Sequence, residues 1–233
     1  MLRMGPLHAA RAAMSVRNRH KTAQPNIKPA PNAGLMLFVA ENDLGCDWAR
    51  LVLTEKDVDS AQIQLIRPGA VNEDFVVLNP AQSLPTLADR EGVISGARVI
   101  VEYLDERYPH PPLMPLSPAA RARVRMALHG LEHELFPRLE ALETASPRGQ
   151  QAAREELLRQ LLAGGRHFAA QGHILGREYT LVDSGWAALL RQLQRLGIEL
   201  PAQAEPLRRY AARLAARPAF QRCFSPDSSR KPR

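Results

Sequence analysis

The sequence predicts an α/β domain followed by an all-α domain, and three observations carry that reading. From Gly34 to Leu104, short apolar runs and amphipathic stretches alternate in the order βαβα-ββα. Beyond Pro118 the apolar residues recur at helical spacing throughout. Between the two lies Arg98 to Pro115, RVIVEYLDERYPHPPLMP, a helical stretch that runs into four prolines. Each proline lacks an amide donor and disfavours α geometry in the residue before it, so the helix must stop and a stiff, extended coil must follow. A stiff linker is the plain reading of that coil, and a preformed recognition surface is the alternative.

Taken in order, residues 1–33 are rich in Ala, Arg, Asn and Pro, without lasting periodicity, and are expected to form a disordered basic tail. They are Arg-rich and acid-free in the manner of a transit peptide but have no apolar signal core; Met14 or Met36 as the true start is an alternative. Gly34 to Ala40 has the length of a buried strand, and Cys46 to Asp57 places Trp48, Leu51, Val52 and Leu53 on one helical face. Ala61 to Ile66 reads as a second strand and Val71 to Leu78 as a short helix. Two more strands follow, one entered through Ser83-Leu84-Pro85-Thr86-Leu87 and one at Gly92 to Ile94. In the second half, Ala119 to Glu143 predicts one long helix with the stripe Val124, Leu128, Leu131, Leu135 and Leu139, kinked at Pro137. Arg154 to Phe168 predicts another helix. Thr180 with Asp183 forms a capping-box start for a helix that stops at Gly197, and Pro206 to Ala216 is the last helix expected.

Of 233 residues, 45% are hydrophobic and 24% charged, as in an ordinary globular protein, and no run approaches the ~18 apolar residues that span a membrane. Cys46 and Cys223 give no disulfide framework, which points to a reducing, cytoplasmic setting. The net charge of +7 sits in the tails: residues 1–33 contribute +6 and residues 227–233 contribute +2, leaving 34–226 at about −1. A near-neutral body excludes a folded nucleic-acid binder, whose charge clusters on the folded face, so contact with DNA is expected only indirectly or through the basic tail.

A βαβ-ββα half with Leu84-Pro85-Thr86 before strand three, followed by a helical half carrying Thr180-Leu181-Val182-Asp183, resembles the glutathione transferase superfamily. The resemblance covers roughly 34–225. It implies a thioredoxin-like domain over 34–110, an all-helical domain over 116–225, a tail over 226–233 and a cis peptide before Pro85. Within the superfamily, NPAQSLPTLADR (79–90), YLDERYPHPPLMP (103–115), YTLVD (179–183) and RLGIEL (195–200) resemble the stringent starvation protein A family. That resemblance implies a stress and starvation regulator without transferase activity, bound to RNA polymerase with its housekeeping sigma factor. It also implies a homodimer, or a heterodimer with a related chain, formed through helix three and the long helix.

The resemblance makes Pro109, His110 and Pro111, with Pro112 and Leu113 in support, the expected partner surface. The prolines present a preformed face that loses little entropy on binding, and His110 adds a polar tip. Glutathione chemistry in this superfamily needs a hydroxyl or thiol after strand one, but Val39 to Gly45 (VAENDLG) has neither. It also needs an acid-Ser pair at the start of helix three, where this chain has Gly96 and Ala97, with Ser95 one residue early. No catalytic, cofactor-binding or metal-ligating residue is therefore assigned. The rival reading is a glutathione-dependent transferase or thiol reductase using Cys46, whose thiol lies where a helix N-terminus lowers its pKa, though Asp47 beside it opposes this. A third is a structural subunit paired with a related chain. His129 and His133 have i, i+4 spacing suited to zinc but no third ligand, and read as solvated or interface histidines.

Overall fold

The structure, a computed structural model, describes residues 34–58, 60–69, 72–163 and 172–224. The tails expected at 1–33 and 226–233 lie outside the described residues, as does the end of the helix predicted over Arg154 to Phe168. The described residues form two compact units, one gathering 34–41 with those of 60–96, the other 42–58 with those from 97 on.

The first unit is a four-stranded sheet of β1 (Met36–Val39), β2 (Gln62–Leu65), β3 (Thr86–Ala88) and β4 (Val93–Ser95), in the order β2-β1-β3-β4. β1 runs parallel to β2 and antiparallel to β3, and β3 pairs antiparallel with β4. Helix α2 (Glu73–Leu78) starts where the Asn72 side chain accepts from the Phe75 amide. It packs Phe75 on Phe38 with ring centroids 5.0 Å apart, and Ala88 completes that core. The turn into β3 is held by Asn79, which donates to the Ser83 carbonyl and to the buried Thr86 hydroxyl. The Leu84–Pro85 peptide in this turn is cis.

The second unit contains α1 (Leu44–Glu55), α3 (Ala97–Arg107) and the helices that follow. Asp43 caps α1, and Trp48, Ala49, Leu51 and Val52 are fully buried. Trp48 donates from Nε1 to Ser184 Oγ at 2.8 Å, tying α1 to α7 (Leu181–Arg195) across 136 residues of sequence. Thr180 and Asp183 make the expected capping box, and buried Asp183 also accepts from the Tyr210 hydroxyl and the Ile174 amide. Helix α8 (Glu205–Ala215) follows, with Tyr210 fully buried.

Three expectations are corrected. The long helix over 119–143 is instead α4 (Pro118–Gly130), a π-helical turn (Leu131–Leu135) and α5 (Phe136–Thr144). Pro137 cannot donate to residue 133, and its ring would strike that carbonyl, so the backbone widens and Phe136 N–H reaches back to Leu131 O. The extra residue shifts the buried stripe by one: Phe136 takes the place predicted for Leu135, and it meets Trp48 edge-on at 5.8 Å. The next helix, α6 (Pro147–Ala163), begins well before Arg154, with Pro147 in its first turn and Gly149 N–H donating to Ser146 Oγ. A final helix, α9 (Pro218–Phe224), follows α8 and was not expected. At seven residues it is too short to show periodicity, and its only sequence signal is the opening proline. Among the described residues, no helix is long and apolar enough to cross a membrane.

Candidate functional site

Helix α3 ends at Arg107, with Tyr108 N–H donating to Leu104 O. The chain then turns outward. Pro109, His110, Pro111 and Pro112 are all exposed, and the His110–Pro111 peptide is cis. Leu113 does not share that surface: it is 2% exposed, and Met114 beside it is also buried. Leu113 is thus the anchor of the segment rather than part of its outward face, because a leucine following three prolines folds its side chain away from water once the coil reaches the helical core.

The anchoring has a specific chemistry. Lys56, the C-cap of α1, is sealed from solvent along its whole side chain. Its ammonium lies 2.6 Å from Asp105 Oδ1 on α3 and donates to the Pro111 carbonyl at 2.6 Å. The same Asp105 oxygen accepts from the Leu113 amide at 2.8 Å, and the Leu113 carbonyl accepts from the Leu181 amide at the start of α7. Sequence reasoning missed Lys56 and Asp105, because 49 residues separate them and each reads as a solvated charge among others.

The other sequence candidates fall elsewhere. Cys46 is completely buried in the first turn of α1, and its amide donates to the Asp43 carboxylate at 2.7 Å. A thiol in that position presents no surface to a disulfide partner. Cys223 is buried too, and burial pushes its thiol up to about 11. Gly96 adopts a φ of +93°, and Ala97 opens α3. Neither carries a carboxylate or hydroxyl for a γ-glutamyl group. Ser95 pairs with Thr86 at the end of β4. His129 and His133 stack at 3.9 Å, with His133 Nδ1 against the His129 carbonyl. Among the described residues, no group of three or more His, Cys, Asp and Glu side chains is placed to hold a metal ion.

Helix α3, helix α4 and the π-helical turn after it carry a charged lattice. Arg98 pairs with Glu102 and Glu132, and Arg125 with Glu102. Burial raises the Glu102 pKa, but the hydrogen bonds from Arg125 and Arg98 outweigh it and hold that carboxyl below its ordinary value. Val99 and Met126 on the same helices are exposed apolar residues.

Comparison with known proteins defines the class. The glutathione S-transferase N-terminal domain matches residues 45–112 and the C-terminal domain residues 117–218. The chain belongs to the glutathione S-transferase family. Solved structures agree on the fold: glutathione S-transferase III in its apo form aligns with a TM-score of 0.70 at 25% identity, covering 86% of this chain and 100% of that one. The Omega 3C transferase of Trametes versicolor gives 0.72 at 19% identity, over 93% and 90% of the two chains.

Within the family, the chain is similar to stringent starvation protein A. The homolog from Pasteurella multocida is 36% identical over 187 residues, 80% of this chain and 88% of that protein. The homolog from Coxiella burnetii is 34% identical over 196 residues, 84% and 93% of the two. The maleylacetoacetate isomerase of Pseudomonas aeruginosa is 32% identical over 189 residues, 73% of this chain and 85% of that enzyme.

Proposed function

We propose that this protein is an RNA-polymerase-associated regulator of the stress and starvation response. It acts by protein–protein contact through Pro109, His110, Pro111 and Pro112, without transferase activity. Its partner is RNA polymerase carrying the housekeeping sigma factor, it works in the cytoplasm as a homodimer or with a related chain, and it meets DNA only through that assembly. The observation that carries this reading is the outward display of four consecutive residues, three of them prolines, on a segment whose backbone is tied down from beneath. Such a face loses little conformational entropy on docking. The names of the relatives support the stress-related role, and the resemblance of the 103–115 stretch supports the polymerase partner.

Replacing Pro109, His110 and Pro111 together with Ala tests it. The substitutions touch exposed coil, so the melting temperature should move by the equivalent of less than about 0.5 kcal/mol. Capture of RNA polymerase from lysate should be abolished. An unchanged melt with unimpaired capture would refute the partner surface. The transferase rival is tested by calorimetry with glutathione. The charge-assisted hydrogen bonds expected at Gly96 and Ala97 are missing, each worth about 1.5–3 kcal/mol, so no micromolar binding should be seen.

A further inference from the structure

We propose that the buried Lys56–Asp105 pair is a positioning device for the proline face: it pins the backbone on both sides of Pro112 into the single shape that a partner reads. This rests on the partner-surface reading above and adds the residues that shape the surface without belonging to it.

In the segment Pro109–Leu113 only His110 and Leu113 have backbone N–H groups, so the segment has few amide donors with which to hold itself. Fixing it around Pro112 requires a donor to the Pro111 carbonyl from outside and an acceptor for the Leu113 amide. The structure supplies both from one charged pair. The Lys56 ammonium donates to the Pro111 carbonyl, and Asp105 Oδ1 accepts from the Leu113 amide while pairing with Lys56. The two backbone groups flanking Pro112 are thereby held by the two ends of a single ion pair. The Leu113 carbonyl, bound to the Leu181 amide, fixes the far end against α7.

Energetics favour the same reading. Sealing both charges away from water costs solvation that their mutual attraction rarely returns with profit, and apolar residues of similar size commonly serve as well or better for stability alone. What such residues cannot do is direct a donor to Pro111 O and an acceptor to Leu113 N–H at once. The pair thus specifies a conformation rather than raising stability.

The test combines hydrogen exchange with polymerase capture. In the unaltered protein, the Leu113 amide should exchange as slowly as core amides of α3; exchange at the rate of an exposed loop would overturn the proposal. The double variant Lys56→Met/Asp105→Leu should fold and melt cooperatively, speed Leu113 exchange at least about tenfold, and weaken polymerase capture at least about tenfold, with Pro109, His110 and Pro111 untouched. Unchanged exchange at Leu113, or unchanged capture once Leu113 is released, would overturn it. So would a double variant that fails to fold, because the pair would then hold the whole unit rather than the segment. Should the Ala triple variant still capture polymerase, the polymerase reading falls by itself, and Leu113 exchange continues to decide the pinning.

Discussion

Glu55 and Lys56 are neighbours at the end of α1, and each joins an oppositely charged residue far along the chain. Glu55 meets Arg217 just before α9 through two hydrogen bonds of 2.8 and 2.9 Å. The guanidinium also lies 3.6 Å over the Tyr179 ring. All of these contacts link side chain to side chain, and the Arg217 side chain remains 29% exposed. Lys56 and Asp105 are different: the lysine side chain has no exposure, and both residues divide their hydrogen bonds between each other and the backbone of a loop. One pair is a strut between α1 and the turn before α9, with a route to water. The other is a mould for a segment. Adjacent residues of opposite charge therefore play unlike parts, and the difference comes from what surrounds their partners rather than from the charges themselves.

The largest effect should come from Lys56→Ala alone, which strands the Asp105 carboxylate in the interior and should lower unfolding free energy in urea by about 3–5 kcal/mol. Glu55→Ala should cost less, about 1.5–3 kcal/mol, since Arg217 can turn its guanidinium outward. It should also leave polymerase capture intact. Equal costs, or equal effects on capture, would erase the distinction between strut and mould. The smallest effect belongs to the partly exposed charged lattice on α3, α4 and the π-helical turn. The Glu102 carboxyl sits below its unfolded value of 4.5, so its contribution is present above that pH and lost as the pH falls through the lower, folded value. Thermal melts from pH 6 to about pH 3 should therefore show a decline that Glu102→Gln reduces. A variant with the same acid slope as the parent would show that the lattice contributes nothing.

Much of this architecture is legible in the sequence because it rests on local patterns. The Thr180–Asp183 cap, the Gly197 stop and the order of strands and helices depend on residues within a turn or two of each other. The pinning of the proline face is not local. Lys56 and Asp105 look like any other charges on amphipathic helices until the fold brings them together, and Leu113 reads as part of the proline coil until its side chain is seen to turn inward. The stripe through 124–139 failed for a similar reason. Periodicity places Leu135 in the core, but Pro137 acts backwards on the residues before it and moves Phe136 there instead.

That wide turn has a consequence for chain length. Counting along the buried side chains, Val124, Leu128 and Leu131 are followed by Phe136, Leu139 and Leu142, a regular helical series but for one five-residue step. Removing a single residue between Leu131 and Phe136, together with Pro137→Ala, would turn that step into a four-residue one and present the same side chains from an unbroken helix. The core thus leaves one position here unclaimed, a spare residue that the proline keeps in place and that a shorter chain could do without.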